Sequence, residues 1–462
     1  MKKTFAWGFD NKCNPEILRR LEKDGVIDLR FWIKQIREKP FLCKAEVKCY
    51  DDFFTLYDFR ADKSAPVWVL QKLESRLLDF LMMNARHQVN HCSSETLISR
   101  QTIDDINLFY RLVSYFYEKI TEHGIEQLIF ANIVHEGADF VAYHLAKALD
   151  IPVLLFYQSL FPNRFFCVDD IDQMGRVMAS RPVMSDPARI SVSSLVEEPL
   201  FYMTKIQGAE WHLENLEDEF SLSKNIKKNK WAWIFSLLLN RFGYVEKKCQ
   251  EQGRRLRRTR LKQYIDDVSV RTEKNVDFGC DYVYVPLQLQ PELTTATLGG
   301  PYVDQVKVIE EIAAMVPSSY TIYVKENPKQ WEAMRPRDHF ERLSQIKQVK
   351  LLGTQANSHQ LIEHAKFIGV VTTTAGWEAI LRGKPVLSFG RAWFNDLPGV
   401  FKIDDRPSLD DLLSCKIDSS HLQSEFDALT SRMGLGILDR DYATIYPEFN
   451  ESENVKAVAS FI

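Results

Sequence analysis

The segment from Phe367 to Gly390, FIGVVTTTAGWEAILRGKPVLSFG, constrains the fold more than any other stretch of the chain. Its first five residues are apolar and rich in β-branched side chains, which is typical of a strand buried on both faces of a parallel sheet. Three threonines follow, and the next apolar residues predict a helix with Thr374 as its N-cap and Gly383 as its C-cap. Pro385 opens a second predicted strand. The segment therefore predicts a strand, a hydroxyl-rich turn, a helix and a strand of a parallel α/β sheet.

The threonine turn is a candidate anion site. A turn at the carboxyl end of a parallel strand directs N–H groups, hydroxyls and the positive end of a helix dipole to one point. Glu378 follows in the first part of the helix, where its carboxylate could bind ribose hydroxyls. The alternative is an ordinary connection in which Thr374 only caps the helix. The other turns of the same sheet distinguish the two interpretations.

Length and composition favour two domains and exclude several classes. A chain of 462 residues exceeds the size at which single cores stop growing, and 45% hydrophobic residues can fill two cores. The net charge of −4 predicts no nucleic-acid partner. The eight cysteines form no CxxC pair, so we expect no metal and no cofactor, and a reducing, cytoplasmic location. From the residues before Asp10 we expect neither a signal peptide nor a membrane span at the N-terminus.

The N-terminal half opens with a βαβ pattern. We expect a strand over Thr4–Gly8, a helix over Asn14–Lys23 with Asn14 as N-cap, and a strand over Val26–Ile33. We accordingly predict a Rossmann-like domain over 1–275, with a helical, basic insertion over about 170–275.

A second unit of this half carries the candidate catalytic residues. A strand over Gln127–Asn132 is followed by a turn with His135 and Glu136 and then by a helix to Leu149. Because this turn lies where a parallel strand ends, we expect it to face a cleft. A carboxylate beside an imidazole can serve as general base or nucleophile. The alternative role of Glu136 is to favour the helix N-terminus through the dipole.

The insertion has two basic clusters, Lys224–Lys230 and Arg254–Lys262, on either side of WAWIFSLLLNRFGY. This apolar run is shorter than the ~20 residues that span a bilayer. It could lie on an anionic membrane surface, which would make the protein peripheral at the inner face of the plasma membrane. The alternative, which the frequency of such helices favours slightly, is a helix packed on its own domain with a solvated basic face.

From Asp281 the chain alternates strands and helices again. This order predicts a doubly wound parallel sheet in a second Rossmann-like domain over 276–405, followed by a helical segment over 406–462 that can pack back on the N-terminal domain. Its functional turns should meet at the carboxyl edge, where Lys325 and Arg391 can neutralise a phosphate. The chain has no GxxxxGK[ST] loop and no GxGxxG after the first strand of this domain. By analogy, the predicted fold class is α/β and GT-B-like, with two Rossmann-like domains facing a cleft.

Four motifs resemble the bacterial capsule polysaccharide biosynthesis family, whose members include CMP-Kdo-dependent Kdo transferases. They are VYVPLQLQPE (283–292), YVKENP (323–328), TTTAGWEAILRGKPVLSFGRAWF (372–394) and LPGVFKIDD (397–405). The resemblance implies that Gln288 and Glu292 border the donor and that Lys325 and Pro328 belong to the Lys-x-His-Pro motif. Asn327 stands where the family has histidine, and it carries no charge and cannot transfer a proton. The full predicted donor-binding set is Gln288, Glu292, Lys325, Asn327, Pro328, Thr373, Thr374, Gly376, Glu378 and Arg391.

The predicted function is a metal-independent glycosyltransferase of capsular polysaccharide biosynthesis. The resemblance implies that it transfers Kdo or a related sugar from a CMP-activated donor to a glycan or glycolipid acceptor, with Glu136 and His135 as catalytic residues. Two alternatives remain open. The first is a UDP- or GDP-sugar-dependent transferase or epimerase of the same fold. The second is a non-catalytic protein of polysaccharide binding or assembly, which the substitution at Asn327 favours.

Overall fold

The structure is a computed structural model. It describes residues 1–10, 13–35, 44–50, 59–90, 102–161, 163–174, 189–197, 275–290, 292–327, 330, 335–336, 338–354, 356–439, 442–443, 446 and 448–462. The predicted donor residue Pro328, both basic clusters and most of the predicted insertion lie outside these residues.

The N-terminal domain is built on a seven-stranded sheet of order β13-β6-β5-β4-β1-β2-β3. The strands β1 to β5 are parallel, whereas β6 runs antiparallel to β5 and β13 runs antiparallel to β6. The strands are β1 (Lys2–Trp7), β2 (Ile27–Gln35), β3 (Glu46–Tyr50), β4 (Gln127–Phe130), β5 (Val153–Gln158), β6 (Arg164–Val168) and β13 (Gly434–Leu435). The helices are α1 (Asn14–Lys23), α2 (Val67–Leu73), α3 (Leu77–Asn90), α4 (Thr102–His123), α5 (Ala138–Ala148) and α6 (Val192–Glu197), with 3₁₀ turns at Glu74–Arg76 and Ile171–Gln173.

The C-terminal domain has a six-stranded, fully parallel sheet of order β12-β11-β10-β7-β8-β9. Its strands are β7 (Tyr282–Pro286), β8 (Thr321–Lys325), β9 (Val349–Leu352), β10 (Ile368–Val370), β11 (Val386–Ser388) and β12 (Val400–Lys402). Its helices are α7 (Val306–Met315), α8 (His339–Gln345), α9 (Ser358–His364), α10 (Thr374–Leu381), α11 (Leu409–Ser414) and α12 (Ser419–Thr430). A π-helical turn (Leu293–Thr297) and a 3₁₀ turn (Gly300–Val303) follow β7, and a second 3₁₀ turn (Ile403–Asp405) follows β12.

The strand order confirms the predicted α/β class with two Rossmann-like domains. In each sheet the order reverses between two neighbouring parallel strands, β1 and β4 in one and β7 and β10 in the other. Ligands of such sheets bind in the crevice outside the carboxyl ends at this reversal. Loops from both carboxyl edges touch, since Thr297 Oγ1 donates to the Val134 carbonyl at 2.7 Å. The two crevices therefore face one another across a cleft.

Several local predictions were wrong. Helix α1 spans Asn14–Lys23 as predicted, but its N-cap residue is Cys13, and the Asn14 side chain donates to the Leu438 carbonyl at 2.7 Å instead of capping the helix. The sequence pattern from about Val67 to Met83 is helical, but the structure interrupts this helix at Glu74–Arg76, where the chain tightens to a 3₁₀ turn. The strands β3 and β6 were not predicted. Strand β6 forms an antiparallel pair with β5 directly after Asn163, which has a positive φ of 51°.

The last part of the chain returns to the N-terminal domain. Strand β13 pairs with β6, and a final helix, α13 (Glu451–Phe461), packs against α1. The Gln158 side-chain carbonyl accepts the backbone N–H of Leu438 at 2.8 Å. None of the helices in the described ranges combines the length and the apolar character that are needed to cross a membrane.

Aromatic side chains from both domains pack together behind the cleft. Phe161 lies between the end of β5 and β6, and its ring centre is 5.2 Å from that of Trp393 and 5.0 Å from that of Phe426. Trp377 of α10 lies 5.1 Å from Trp393 and stacks on Phe426 at 5.3 Å. Offset and edge-to-face pairs of this kind add about 0.5–1.5 kcal/mol each beyond area burial. We call these four residues the interdomain aromatic cluster.

We predict that Phe161→Ala lowers the free energy of unfolding by about 3–5 kcal/mol, because it opens a cavity among rings that belong to two domains. Urea unfolding followed by tryptophan fluorescence measures this directly, since Trp377 and Trp393 lie in the cluster. Leu413→Ala is the control. Leu413 is 42% exposed, so its truncation should change stability by less than about 0.5 kcal/mol. Equal effects of the two variants would contradict the packing role.

Candidate functional site

Gln288 joins the two strands at which the C-terminal sheet reverses. It follows β7, it is 5% exposed, and its side-chain oxygen accepts the Thr372 backbone N–H at 2.7 Å. Its side-chain N–H₂ donates to Thr372 Oγ1 at 3.0 Å. Thr372 Oγ1 in turn donates to the Thr294 carbonyl at 2.7 Å. Gln288 therefore fixes the crevice by positioning the threonine turn.

The threonine turn opens helix α10 as predicted, but its cap is one residue earlier than expected. Thr373 has an extended backbone and is the N-cap, with its Oγ1 accepting the Ala375 N–H at 3.5 Å, whereas Thr374 is already helical. Both hydroxyls are half-buried at the edge of the sheet. Gly376 has a packing role, because a Cβ there would lie 2.7 Å from the Phe394 ring.

Lys325 ends β8 on one side of this turn. Its Nζ donates to Ser358 Oγ at 2.8 Å, and the Tyr284 hydroxyl donates to the same oxygen at 3.2 Å. Burial lowers the pKa of Lys325, and the charge of Glu378 opposes this effect. The lysine is thus a partly desolvated cation close to a carboxylate, and the electrostatic effect of such a charge on a bound anion exceeds that of an exposed one.

Glu378 faces α9 and Lys325. Its Oε2 lies 3.5 Å from His359 Nδ1, and Arg382 Nη2 lies 3.1 Å from the same nitrogen. Burial raises the pKa of the Glu378 carboxyl, and the charges of His359, Arg382 and Lys325 oppose that rise. A carboxylate held at a cost in free energy beside a cation is typical of a binding site. The structure therefore brings together the predicted residues Lys325, Glu378 and the threonine turn.

A buried ion pair below this surface was not predicted. Arg335 Nη2 lies 2.7 Å from Glu326 Oε1, and their side chains are 1% and 2% exposed. Arg335 also donates to the Gln288 carbonyl and to the Gln290 side chain, both at 2.8 Å. The Asn327 backbone N–H donates to Glu326 Oε1 at 2.6 Å. Arg335 therefore connects the loop after β7 to the loop after β8. Removing either ionic partner would leave the other charge buried without its partner and would lower the free energy of unfolding by about 3–5 kcal/mol.

Glu292 shapes the loop that crosses toward the N-terminal domain. Its carboxylate caps the π-helical turn by accepting the Thr294 N–H at 3.3 Å and the Thr294 hydroxyl at 2.9 Å. Thr295 Oγ1 accepts the Glu292 N–H at 3.1 Å. This reciprocal cap holds the turn that carries Thr297 to its contact with Val134.

The candidate catalytic turn lies directly after that contact. His135 Nδ1 is 2.7 Å from the Ile133 carbonyl, so Nδ1 carries the hydrogen and Nε2 is the nitrogen that can accept a proton. Asp139 accepts the backbone N–H groups of His135 at 2.8 Å and Glu136 at 2.7 Å. Burial raises the pKa of Asp139, and the charge of His135 and these N–H groups oppose it. Asp139, which was not predicted, therefore fixes the turn that presents His135 and Glu136 beside the cleft.

Arg391 lies on the other side of the threonine turn. Its Nε is 2.6 Å from Asp172 Oδ1 of the N-terminal domain, and its backbone N–H donates to the Leu298 carbonyl at 2.8 Å. Arg391 follows β11 and Lys325 ends β8, three strands away, which is about 14 Å at the usual strand spacing. We expected from the sequence that both cations would neutralise one phosphate. The structure places them too far apart for this.

A group of possible metal ligands lies elsewhere. Among the described residues, Glu46, Glu122 and His123 place oxygen and nitrogen atoms within 4.8 Å of one another. Lys119 Nζ forms ion pairs with Glu46 at 3.0 Å and with Glu122 at 3.1 Å, so the positive charge of the lysine already balances both carboxylates. It lies at the start of β3, away from the carboxyl edge that carries the candidate site.

The family comparison covers the region with the four motifs. Residues 226–407 match the family model described as capsule polysaccharide biosynthesis protein. The predicted family resemblance is confirmed for this region. Within the region of the family match lie Gln288, Lys325, the threonine turn, Glu378 and Arg391. Comparison with curated proteins gives no match.

Two of the solved structures that match this chain are distant from it. The beta-Kdo 2,7 transferase KpsC of Thermosulfurimonas dismutans is 11% identical, with a TM-score of 0.34 over 75% of this chain and 88% of that one. The UDP-GlcNAc 2-epimerase of Methanocaldococcus jannaschii is 12% identical, with a TM-score of 0.23 over 94% of each chain. The fold assignment rests on the strand order described above.

We predict that Glu378→Gln stabilises the protein increasingly as the pH rises from about 4 to 7. The pKa of Glu378 is higher in the folded protein than its ordinary value of 4.5 in the unfolded chain, so the folded protein holds the proton more tightly. The wild type therefore loses stability as the pH rises through this range. Glutamine cannot ionise and escapes this loss. Urea unfolding of both proteins at several pH values gives the difference in free energy.

Glu46→Gln is the matched control with the opposite sign. Burial raises the pKa of Glu46, but hydrogen bonds from Lys119 and His123 lower it overall. Its ionised form therefore stabilises the fold above its unfolded pKa, and the glutamine variant should lose stability relative to wild type as the pH rises. If the difference in free energy of unfolding between Glu378→Gln and wild type does not change with pH, or changes in the same direction as for Glu46→Gln, the ionised Glu378 carboxylate does not destabilise the folded protein.

Proposed function

We propose that the protein is a glycosyltransferase of capsular polysaccharide biosynthesis that binds a nucleotide-activated sugar at the carboxyl edge of the C-terminal sheet. One observation carries this proposal: Lys325 and Glu378 lie partly buried beside the threonine turn, at the point where the strand order reverses. The turn and the helix dipole suit a phosphate, and the carboxylate suits a pair of ribose hydroxyls. The family match over 226–407 gives the biosynthetic context.

The proposed donor is CMP-linked Kdo or a related sugar. The family resemblance supports this donor. Lys325 and the N-terminus of α10 can each stabilise a phosphate, and the cationic groups of Arg382 and His359 lie on the Glu378 side of the turn with Lys325.

The proposed reaction is metal-independent. Lys325 and the N-terminus of α10 would stabilise the negative charge that develops on the leaving phosphate. His135 Nε2 or the Glu136 carboxylate would take the proton of the acceptor hydroxyl, or Glu136 would attack as nucleophile. Asn327, in place of the histidine of the family motif, can donate a hydrogen bond to phosphate but cannot carry this proton. The acceptor would be a glycan or glycolipid, with the basic clusters of the insertion as the predicted contact with an anionic membrane.

Nucleotide binding tests the donor proposal. In a thermal-shift and calorimetric series, CMP should bind more tightly than UDP or GDP. Glu378→Gln should weaken CMP binding by at least about tenfold, or ~1.4 kcal/mol, because it removes a charged acceptor of ribose hydroxyls. Arg19→Gln, on an exposed face of α1, is the control and should bind CMP normally. Tighter binding of UDP would favour the other donors, and binding without turnover would favour a non-catalytic protein.

Replacement of the candidate base tests the chemistry. Glu136→Gln should lower the rate of sugar transfer from CMP-Kdo on the order of 10²–10⁴-fold, because the amide cannot accept a proton or act as nucleophile. CMP affinity should stay unchanged, since the turn lies in the other domain. His135→Gln, measured in parallel, separates the two candidates. Transfer at the wild-type rate would remove Glu136 from the mechanism.

A further inference from the structure

A cleft of about 300 Å³ lies beside Arg391, between the two domains. This volume is at the lower end of the range found for small-molecule sites. The N-terminal domain lines it with residues of the segment after β6, and the C-terminal domain with the turns after β7, β11 and β12. Polar and aromatic groups at its wall include Asp172, Tyr302, Asn395, Lys402 and Asp404.

The cleft borders the threonine turn on the side away from Glu378. Gly390 separates the two, and its backbone packs so closely that a Cβ there would lie 2.8 Å from Thr372 Cγ2. Glu378 and Lys325 lie on the β8 side of the turn, and Arg391 lies on the β11 side. Gly390 thus lines the cleft and packs against the turn, so a nucleotide-sugar with its ribose at Glu378 and its phosphate at the turn would have this cleft on the opposite side of the turn, where its sugar could lie.

The ion pair of Arg391 with Asp172 is a weak one. The two side chains are 37% and 73% exposed, and pairs of this kind contribute only about 0–1 kcal/mol. A ligand carboxylate could therefore replace Asp172 at little cost, and the planar guanidinium binds carboxylates through two parallel hydrogen bonds. Gly300 lines the cleft next to this guanidinium, since Arg391 Nη1 is 3.6 Å from the position of a Cβ at residue 300.

We propose that this cleft binds the sugar of the donor and that Arg391 selects a sugar with a carboxylate, which takes the place of Asp172. The proposal rests on the proposed function, because the position of the ribose and phosphate defines the direction of the sugar. In this proposal Arg391 determines the specificity for the sugar. The ligand carboxylate replaces Asp172 on Arg391, so the ion pair between the domains breaks when the ligand enters. Asp172 is thus a competitor of the ligand for the same guanidinium.

Two variants of opposite sign test the exchange. Calorimetric titration of the full chain with free Kdo, in saturating CMP, should show at least tenfold weaker binding for Arg391→Gln and an intermediate loss for Arg391→Lys, which keeps the charge without the fork. Asp172→Asn should bind Kdo several-fold more tightly, because the competing charge is gone. Arg19→Gln is the matched control, since Arg19 Nε forms an exposed ion pair with Glu16 at the same distance of 2.6 Å, away from the cleft. Glucose, which has no carboxylate, should bind no variant differently.

Three results would overturn the proposal. They are unchanged Kdo binding in Arg391→Gln, weaker binding in Asp172→Asn, and equal dependence of glucose binding on Arg391. Melting temperatures of all variants show whether each one is folded. CMP titration separates the two levels of inference. If CMP binds wild type and Arg391→Gln equally but Kdo binding ignores Arg391, this proposal fails and the proposed function stands. If CMP does not bind but Kdo binding still depends on Arg391, the proposed function fails and the acidic-sugar site stands.

Discussion

The hydrogen bonds between Gln288 and Thr372 hold together the two halves of the C-terminal sheet at the point where ligands of this fold bind. One side chain satisfies a backbone N–H and a hydroxyl of the neighbouring strand end, and Arg335 binds the Gln288 carbonyl from below. The turns that carry Lys325, Thr373 and Glu378 are positioned through this layer. Because the layer is buried, each of its polar groups needs a partner, and the loss of one partner would disturb several turns at once.

The sequence predicted the parts of the fold that depend on local pattern. Alternating apolar segments and glycine or threonine turns fix strands such as β7 and β10, and the threonine turn is found at the predicted edge. The N-cap of α10 is Thr373 and not the predicted Thr374, because the choice between adjacent threonines depends on where the backbone leaves the strand. Strand β6 was missed since it begins directly after Asn163, and the positive φ of this residue is not visible in the sequence pattern.

The site was predictable only in its outermost layer. Lys325 and Glu378 follow strands and carry charge, so their place in the topology indicates a role. Arg335 and Asp139 are long-range partners of backbone and carboxylate groups, and no local spacing points to them. Arg391 was assigned to the right edge but to the wrong neighbour, because strand order, and not sequence distance, decides which turns meet. The reversal of order between β7 and β10 separates it from Lys325.

The return of the chain to the N-terminal sheet has a mechanical consequence. Strand β13 pairs with β6, and Phe426 of α12 packs in the interdomain aromatic cluster on the way back. The polypeptide therefore passes between the domains in both directions, so a force that pulls the domains apart acts on two covalent connections. Because the N-terminal sheet is completed by a strand that follows the whole C-terminal domain along the chain, the same force also acts on the pairing of β13 with β6.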